Sequence, residues 1–288
     1  MTPDILVTGA SGFIAKHLIP RLRSAGHDVF EIDRRDGDIA HEKTWAGLPR
    51  AEVVIHLAGK SFVPDSWVDP SSFFSCNMLG TAAALEYCKK NAARMIFLSS
   101  YMYGNPERLP IPENAPLIAN NPYALSKKFA EELSRFYTAR FAVDVSVLRL
   151  FNVYGPGQGD KFLIPSVIRQ VCSGTRVHVR DLEPKRDYVH VTDVSQAIIR
   201  ALSTRRGFHV YNIGSGVSYS VSEIIQTVQD VWGTDLLVSS DSARRLDEIM
   251  DTIADISEAK RWLGWEPQFG LLAGIRDIFE KQGVAHVR

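Results

Sequence analysis

The chain has 288 residues, 45% of them hydrophobic, and Lys plus Arg equals Asp plus Glu at 33 each. That length and apolar content can bury a full core, and the zero formal charge creates no overall field for nucleic acid or an acidic membrane surface. The N-terminus lacks a basic region followed by a long apolar run, and no later segment matches a bilayer in length, so a soluble cytoplasmic protein is expected.

Ile5-Leu6-Val7 reads as a short buried strand running into Thr8-Gly9-Ala10-Ser11-Gly12-Phe13-Ile14-Ala15, followed by an amphipathic helix through Leu18, Ile19 and Leu22. Strand, glycine turn and helix form the setting of a phosphate loop. Gly9 allows the tight turn, Gly12 lets backbone amides approach a pyrophosphate, and the helix start offers its positive dipole end. The second strand, Val29 to Ile32, ends at Asp33, 21 residues beyond Gly12, the offset of a carboxylate that grips an adenosine ribose. Arg34 and Arg35 follow, and guanidinium groups there suit a 2′-phosphate instead. NAD is the favoured cofactor, with NADP as the alternative.

Only Gly37-Asp38-Ile39 and a stub around Trp45 separate Asp33 from the next strand, Val53 to Leu57, so this half of the fold looks trimmed. Ala58-Gly59 then lets a cofactor pass close to the backbone. A helix is expected from about Ser71 to Asn91, and the strand Met95 to Leu98 delivers Ser99 and Ser100 to the ligand end of a doubly wound sheet. Cys76 and Cys88 share that helix too far apart for a disulfide, and with Cys172 they read as reduced thiols. The eight His residues show no metal-ligand spacing.

A proline-rich loop from Pro106 to Pro122 precedes a helix carrying Tyr123 and Lys127. Four residues apart, phenol and ammonium share a helix face, and a neighbouring cation makes a phenol easier to ionise, as a proton shuttle at a carbon-oxygen bond requires. After the buried strand Val145 to Leu150, Phe151 to Gly157 marks a composition break, and a domain boundary is placed at residue 155. Shorter, less regular pieces follow: a helix near Pro165 to Gly174, strands at Val177 to Val179 and Phe208 to Ile213, and helices from Asp193 and from Val221 to Trp232.

Taken together, Thr8 to Ile14, His56-Leu57-Ala58-Gly59, Asn77 with Gly80-Thr81, Ser99-Ser100 before Tyr103-Gly104, Asn121-Pro122 ahead of Tyr123 to Lys127, Arg149, Asn152 to Pro156, Arg186 to Val191 and Leu263-Gly264-Trp265 resemble the extended short-chain dehydrogenases/reductases of the nucleotide-sugar epimerase/dehydratase family. The resemblance implies an α/β fold. A Rossmann-type doubly wound parallel sheet occupies residues 1–155, with later segments returning to it, and a smaller mixed α/β substrate-binding part occupies residues 156–288.

It implies catalysis by Ser99, Tyr123 and Lys127. Counting back five residues from Gly104 selects Ser99, and Ser100 stays as the alternative. Expected cofactor contacts are Gly9, Ser11, Gly12, Phe13, Ile14, Asp33, Arg34, Asp38, Ile39, Leu57, Ala58, Gly59 and Asn77, besides Tyr123 and Lys127. Expected contacts to a nucleotide-diphosphate sugar are Ser99, Ser100, Asn152, Arg186 and Arg245.

Dehydratases of the family carry Asp-Glu where this chain has Ser100-Tyr101, which argues against dehydration. Two reactions at sugar C4 remain, a 4-keto-6-deoxyhexose reduction and a 4-epimerisation. The segments Gly59 to Pro64 and Leu182 to Asp187 look similar to the reductases, which are preferred. A dinucleotide-binding sensor without catalysis is the rival from another class. A homodimer through the helices of Asn77 and Tyr123 is also implied.

Overall fold

The computed structural model describes residues 3–242 and 248–282. Its centre is a six-stranded parallel sheet in the order β2-β1-β3-β4-β5-β9, formed by β1 (Ile5–Thr8), β2 (Val29–Ile32), β3 (Val53–His56), β4 (Arg94–Ser100), β5 (Val145–Leu150) and β9 (Phe208–Ile213). Alternation along these apolar strands sends residues to two covered faces. Ile5, Val7, Ile55, Ile96, Leu98 and Leu148 pack under α1 (Phe13–Ser24), with Val194, Ala197 and Ile198 of α8 (Val191–Ala201) and Ala259 and Leu263 of α10 (Ser257–Leu263) in the same cluster. Leu6, Val54, Met95, Phe97, Val145 and Val147 pack on the other side with Leu85 and Cys88 of α5 (Gly80–Asn91) and Ala130 of α6 (Pro122–Phe141).

Strand order reverses direction between β1 and β3, so a crevice opens beyond their carboxyl ends. A single helical turn, α2 (Glu42–Trp45), fills the short stretch between β2 and β3.

The helix expected from Ser71 to Asn91 is interrupted. Two short pieces, α3 (Val63–Val68) and α4 (Pro70–Phe73), lead into a π-helical stretch, Phe74–Leu79, before α5 begins. Such wide turns insert an extra residue and re-aim side chains, here that of Asn77. Gly80 is required where α5 starts, because a Cβ there would lie 2.8 Å from Ile39 Cγ2.

Beyond β5 the sequence suggested only a break, yet Asn152–Tyr154 forms β6. It pairs with β8 (Lys185–His190), which pairs with β10 (Ser218–Ser220), in a second sheet. A third pairing joins β7 (Val177–Val179) and β11 (Val238–Ser240). A separate core beside them gathers α7 (Leu163–Ser173), α9 (Val221–Trp232) and α11 (Leu271–Gln282) around Val167, Val171, Ile224, Val228 and Ile275. No helix among the described residues is long and apolar enough to cross a membrane.

Candidate active site

The crevice at the switch point is built from buried polar side chains at strand ends. Thr8 Oγ1 lies 2.9 Å from His56 Nδ1 across β1 and β3, and accepts a hydrogen bond from Ala58 N at 3.2 Å. Burial pushes the His56 imidazole down to about 3, so it stays neutral and fixes this junction without charge. Gly9 has φ +71°, and a Cβ there would meet Ala58 N at 2.8 Å, so the glycine turn lies directly against the end of β3. Gly12 caps α1 and donates to Gly9 O at 2.9 Å. Ser11 is exposed at the turn, while Phe13 and Ile14 are half-buried, with Ile14 packed on the core. These groups fit a pyrophosphate loop, since a tight glycine turn leads straight into the exposed start of α1, where backbone amides can meet an anion.

Asn77, re-aimed by the π-helical turn, accepts from Lys60 N at 2.8 Å and donates to Lys60 O at 3.0 Å and Ser126 Oγ at 2.9 Å. It thereby pins the Gly59 loop to α6. At Gly59 a Cβ would meet Asn77 Oδ1 at 3.0 Å and Lys127 Nζ at 3.4 Å, so the exposed loop runs past the ammonium.

The start of α6 is set locally. Asn121 accepts from Ala124 N at 2.8 Å as N-cap and Pro122 occupies the first turn, a combination worth about 1 kcal/mol. Tyr123 then falls in the first turn with Lys127 one turn on. Lys127 is 6% exposed; its ammonium donates to Leu98 O at 2.8 Å and lies 4.9 Å from the Phe97 ring. Burial lowers its pKa to about 8.

The phenol behaves differently from the sequence expectation. Burial raises the Tyr123 pKa, opposed by a hydrogen bond with the Ser100 hydroxyl, while the Lys127 ammonium gives one of its three N–H bonds to the Leu98 carbonyl. A phenol held neutral is ready to donate a proton.

Of the two serines at the end of β4, Ser100 is the one beside Tyr123. Ser99, the residue selected by counting from Gly104, is 3% exposed and donates inward to Glu131 Oε1 at 2.5 Å. The pleat of the strand sends neighbouring side chains to opposite faces, so only one of the two can meet the phenol. Glu131 is held in turn by Arg149 through Nε at 3.1 and 3.2 Å and through its terminal nitrogen at 2.7 Å. Arg149 also donates to Tyr103 Oη at 2.9 Å, and Tyr103 donates to Asn212 at 2.6 Å. This buried network bolts α6 to β4, β5 and β9 directly behind the dyad. Glu131 was not singled out from sequence, although Tyr123, Lys127 and Glu131 recur at four-residue intervals, the signal of one helix face.

The other expected residues divide. Leu57 and Ala58 are half-buried at the crevice. Asp33 lies at the end of β2, but Arg35 grips its carboxylate at 2.7 to 3.2 Å and holds its pKa below the usual range, while Arg34 is exposed beside it. Asp38 folds onto its own turn, accepting from Ala40 N at 3.0 Å. The Ile39 side chain is 8% exposed and belongs to the core under Gly80.

Across the cleft, Asn152 donates to Asp187 O at 3.1 Å and exchanges contacts of 3.3 and 3.4 Å with Tyr101 Oη. Arg186 binds Glu248 Oε1 and Ile249 O, both at 2.5 Å. Asp187, fully buried, accepts from Ser215, Gly216 and Ala254 and organises that side. Arg245 lies outside the described residues.

The profile of the NAD dependent epimerase/dehydratase family matches residues 5–214. GDP-6-deoxy-D-mannose reductase of Pseudomonas aeruginosa is 34% identical over 96% of this chain and 96% of its own. UDP-glucose 4-epimerase of Thermotoga maritima, solved with UDP-glucose, superposes with a TM-score of 0.90 at 28% identity, covering 98% of this chain and 99% of that one. RMD from Pseudomonas aeruginosa, complexed with NADPH, superposes at 0.88 with 32% identity over 97% and 98% of the two chains. Fold, site and likeness agree over nearly the whole length: the chain belongs to the NAD dependent epimerase/dehydratase family, as an enzyme of the extended short-chain dehydrogenase/reductase type.

Proposed function

We propose that the protein is an NAD(P)-dependent oxidoreductase of nucleotide-diphosphate sugars that transfers a hydride at sugar C4, acting as a 4-keto-6-deoxyhexose reductase. The observation that carries this reading is the pair of hydroxyls from Ser100 and a neutral Tyr123 at the carboxyl end of β4, with the buried Lys127 one turn behind. The dinucleotide supplies the hydride when bound.

The chain's own groups do the rest. Ser100 holds the C4 oxygen, Tyr123 gives it a proton as the alkoxide develops, and Lys127 binds the nicotinamide ribose and restores the proton balance of the phenol. Gly9, Ser11, Gly12 and Gly59 line the pyrophosphate path, Asn77 fixes the loop beside the ribose, and Arg186 with Asn152 takes the substrate diphosphate and sugar. The resemblance to the reductase of Pseudomonas aeruginosa supports the reducing direction.

A 4-epimerase is the second reading, favoured by the overlap with the Thermotoga maritima enzyme. Cytoplasmic placement and a homodimer belong to the same proposal. The dimer is supported by Leu79, Phe129 and Phe136, 48%, 41% and 52% exposed, the last two seven residues apart on α6.

Tyr123→Phe tests the assignment. Turnover is expected to fall by about 10²- to 10⁴-fold with dinucleotide affinity unchanged, and unchanged turnover would refute it. Ser100→Ala and Ser99→Ala, assayed side by side, separate the two serines. Mass spectrometry of nucleotides released from the purified protein separates the two reactions, because tightly retained NAD speaks for epimerisation.

A further inference from the structure

Tyr101, which with Ser100 replaces the Asp-Glu of the dehydratases, links the end of β4 to Asn152 of the second sheet. Its backbone prolongs the sheet, Tyr101 N donating to Leu150 O at 3.2 Å. Its ring stacks on Phe151 with centroids 4.8 Å apart and planes 14° from parallel. Its hydroxyl faces both ends of the Asn152 amide at 3.3 and 3.4 Å, and that amide is anchored to Asp187 O at 3.1 Å. The side chain is half-buried, so part of it stays accessible. The phenol lies within electrostatic reach of both the Tyr123 and the Tyr188 hydroxyls. Asn152 and Tyr188 are register partners in β6 and β8, so this row of groups spans the cleft from one sheet to the other.

We propose that Tyr101 is a specificity-determining wall of the sugar site, which holds the hexose of a nucleotide sugar in one orientation and so makes hydride addition at C4 one-sided. This rests on the reading of the site as a nucleotide-sugar C4 oxidoreductase. Epimerisation returns the hydride to the opposite face of C4, so the sugar ring must turn over while its diphosphate stays bound. A ring fixed by the sheet and by a stacked neighbour occupies the space that this turn sweeps, and it yields only if the stack on Phe151 gives way with it. In the reduction, the hydride of the reduced dinucleotide forms the new C4–H bond and the carbonyl oxygen takes the Tyr123 proton. The dinucleotide leaves oxidised.

The experiment compares wild type, Tyr101→Phe, Tyr101→Ala and Phe151→Leu on GDP-, UDP- and dTDP-linked 4-keto-6-deoxyhexoses with NADH and NADPH, reading the C4 configuration of the product by proton NMR. Calorimetry of the corresponding 6-deoxyhexose nucleotide against the bare nucleoside diphosphate gives a readout independent of turnover. Wild type and Tyr101→Phe are expected to give one C4 configuration. Tyr101→Ala should give both, and the affinity advantage of the sugar nucleotide over the bare diphosphate should fall about tenfold. Phe151→Leu, which removes the stacked support, should shift both readouts in the same direction and serves if Tyr101→Ala does not fold. A single configuration and an undiminished affinity advantage in the folded variants overturn the role of Tyr101 alone. Wild type that interconverts C4 epimers, or that reduces none of the three ketones, overturns the reductase reading and this role with it.

Discussion

The two walls of the cleft use the same kinds of polar side chain in opposite ways. On the dinucleotide side, Thr8, His56, Asn77, Ser126 and Lys127 bond mainly to backbone or to one another, and Gly9 and Gly59 let the loops pack directly against Ala58 and Asn77. On the far side, the groups expected to meet the substrate already hold internal partners: Arg186 grips Glu248, and Asn152 is shared by Tyr101 and Asp187. The first wall is finished before any ligand arrives. On the second, if Arg186 and Asn152 take the substrate as proposed, Glu248 and the Tyr101 hydroxyl hold the places its groups would take, and binding there is an exchange of partners.

The comparison breaks most visibly if the first wall proves soft. Glu131 and Arg149 are 4% and 3% exposed and hold each other through three hydrogen bonds behind the dyad. Glu131→Ala leaves a buried guanidinium with no carboxylate and should cost about 3–5 kcal/mol of stability, measured by urea unfolding. A cost under about 1 kcal/mol would mean that α6 is not held from behind by this pair.

A second test concerns Lys127. Its folded-state pKa of about 8 lies below the ordinary lysine value, so folding disfavours the ammonium. Below pH 8 the amine is charged in both states and the penalty is present in full. Between pH 8 and the ordinary value near 10.4, the folded chain has shed a proton that the unfolded chain keeps, so this contribution to stability improves as pH rises. Lys127→Met should therefore be more stable than wild type at pH 7, by up to about 3 kcal/mol, with the gap closing towards pH 10. The same titration should weaken dinucleotide binding to the free enzyme above pH 8. A flat affinity from pH 7 to 9.5 would remove the ammonium from that role.

How much of this was legible in the sequence follows the range of the interactions. Ile5-Leu6-Val7 before Gly9, and Asn121-Pro122 before Tyr123, declare strand, turn and helix start within a few residues, and these elements stand where the local signals put them. The π-helical turn left no mark, because Phe74 to Leu79 keeps an ordinary helical mix of residues and only Gly80 hints at a close approach. Counting from Gly104 settles an offset along the chain but not which way the pleat of β4 turns each hydroxyl, hence the inward Ser99. β6 went unseen since three residues carry no period, and its partner strand begins more than thirty positions later. At Asp33 the expected carboxylate is present, but its neighbour two residues on decides what it faces.

The smallest expected effect sharpens the account of the second wall. If Glu248 holds the place of a substrate phosphate on Arg186, weakening it should help the ligand, because the bond that must be given up becomes weaker. Glu248→Gln keeps the shape and removes the charge, so nucleoside diphosphate affinity measured by calorimetry should rise about three- to tenfold, near 1 kcal/mol. The gain should vanish in Arg186→Met, where there is no guanidinium to release. It should also be larger at low salt, since the exchange is between two anions for one cation. Weaker binding in Glu248→Gln would instead make the carboxylate a direct partner of the ligand, and the second wall would then be as finished as the first.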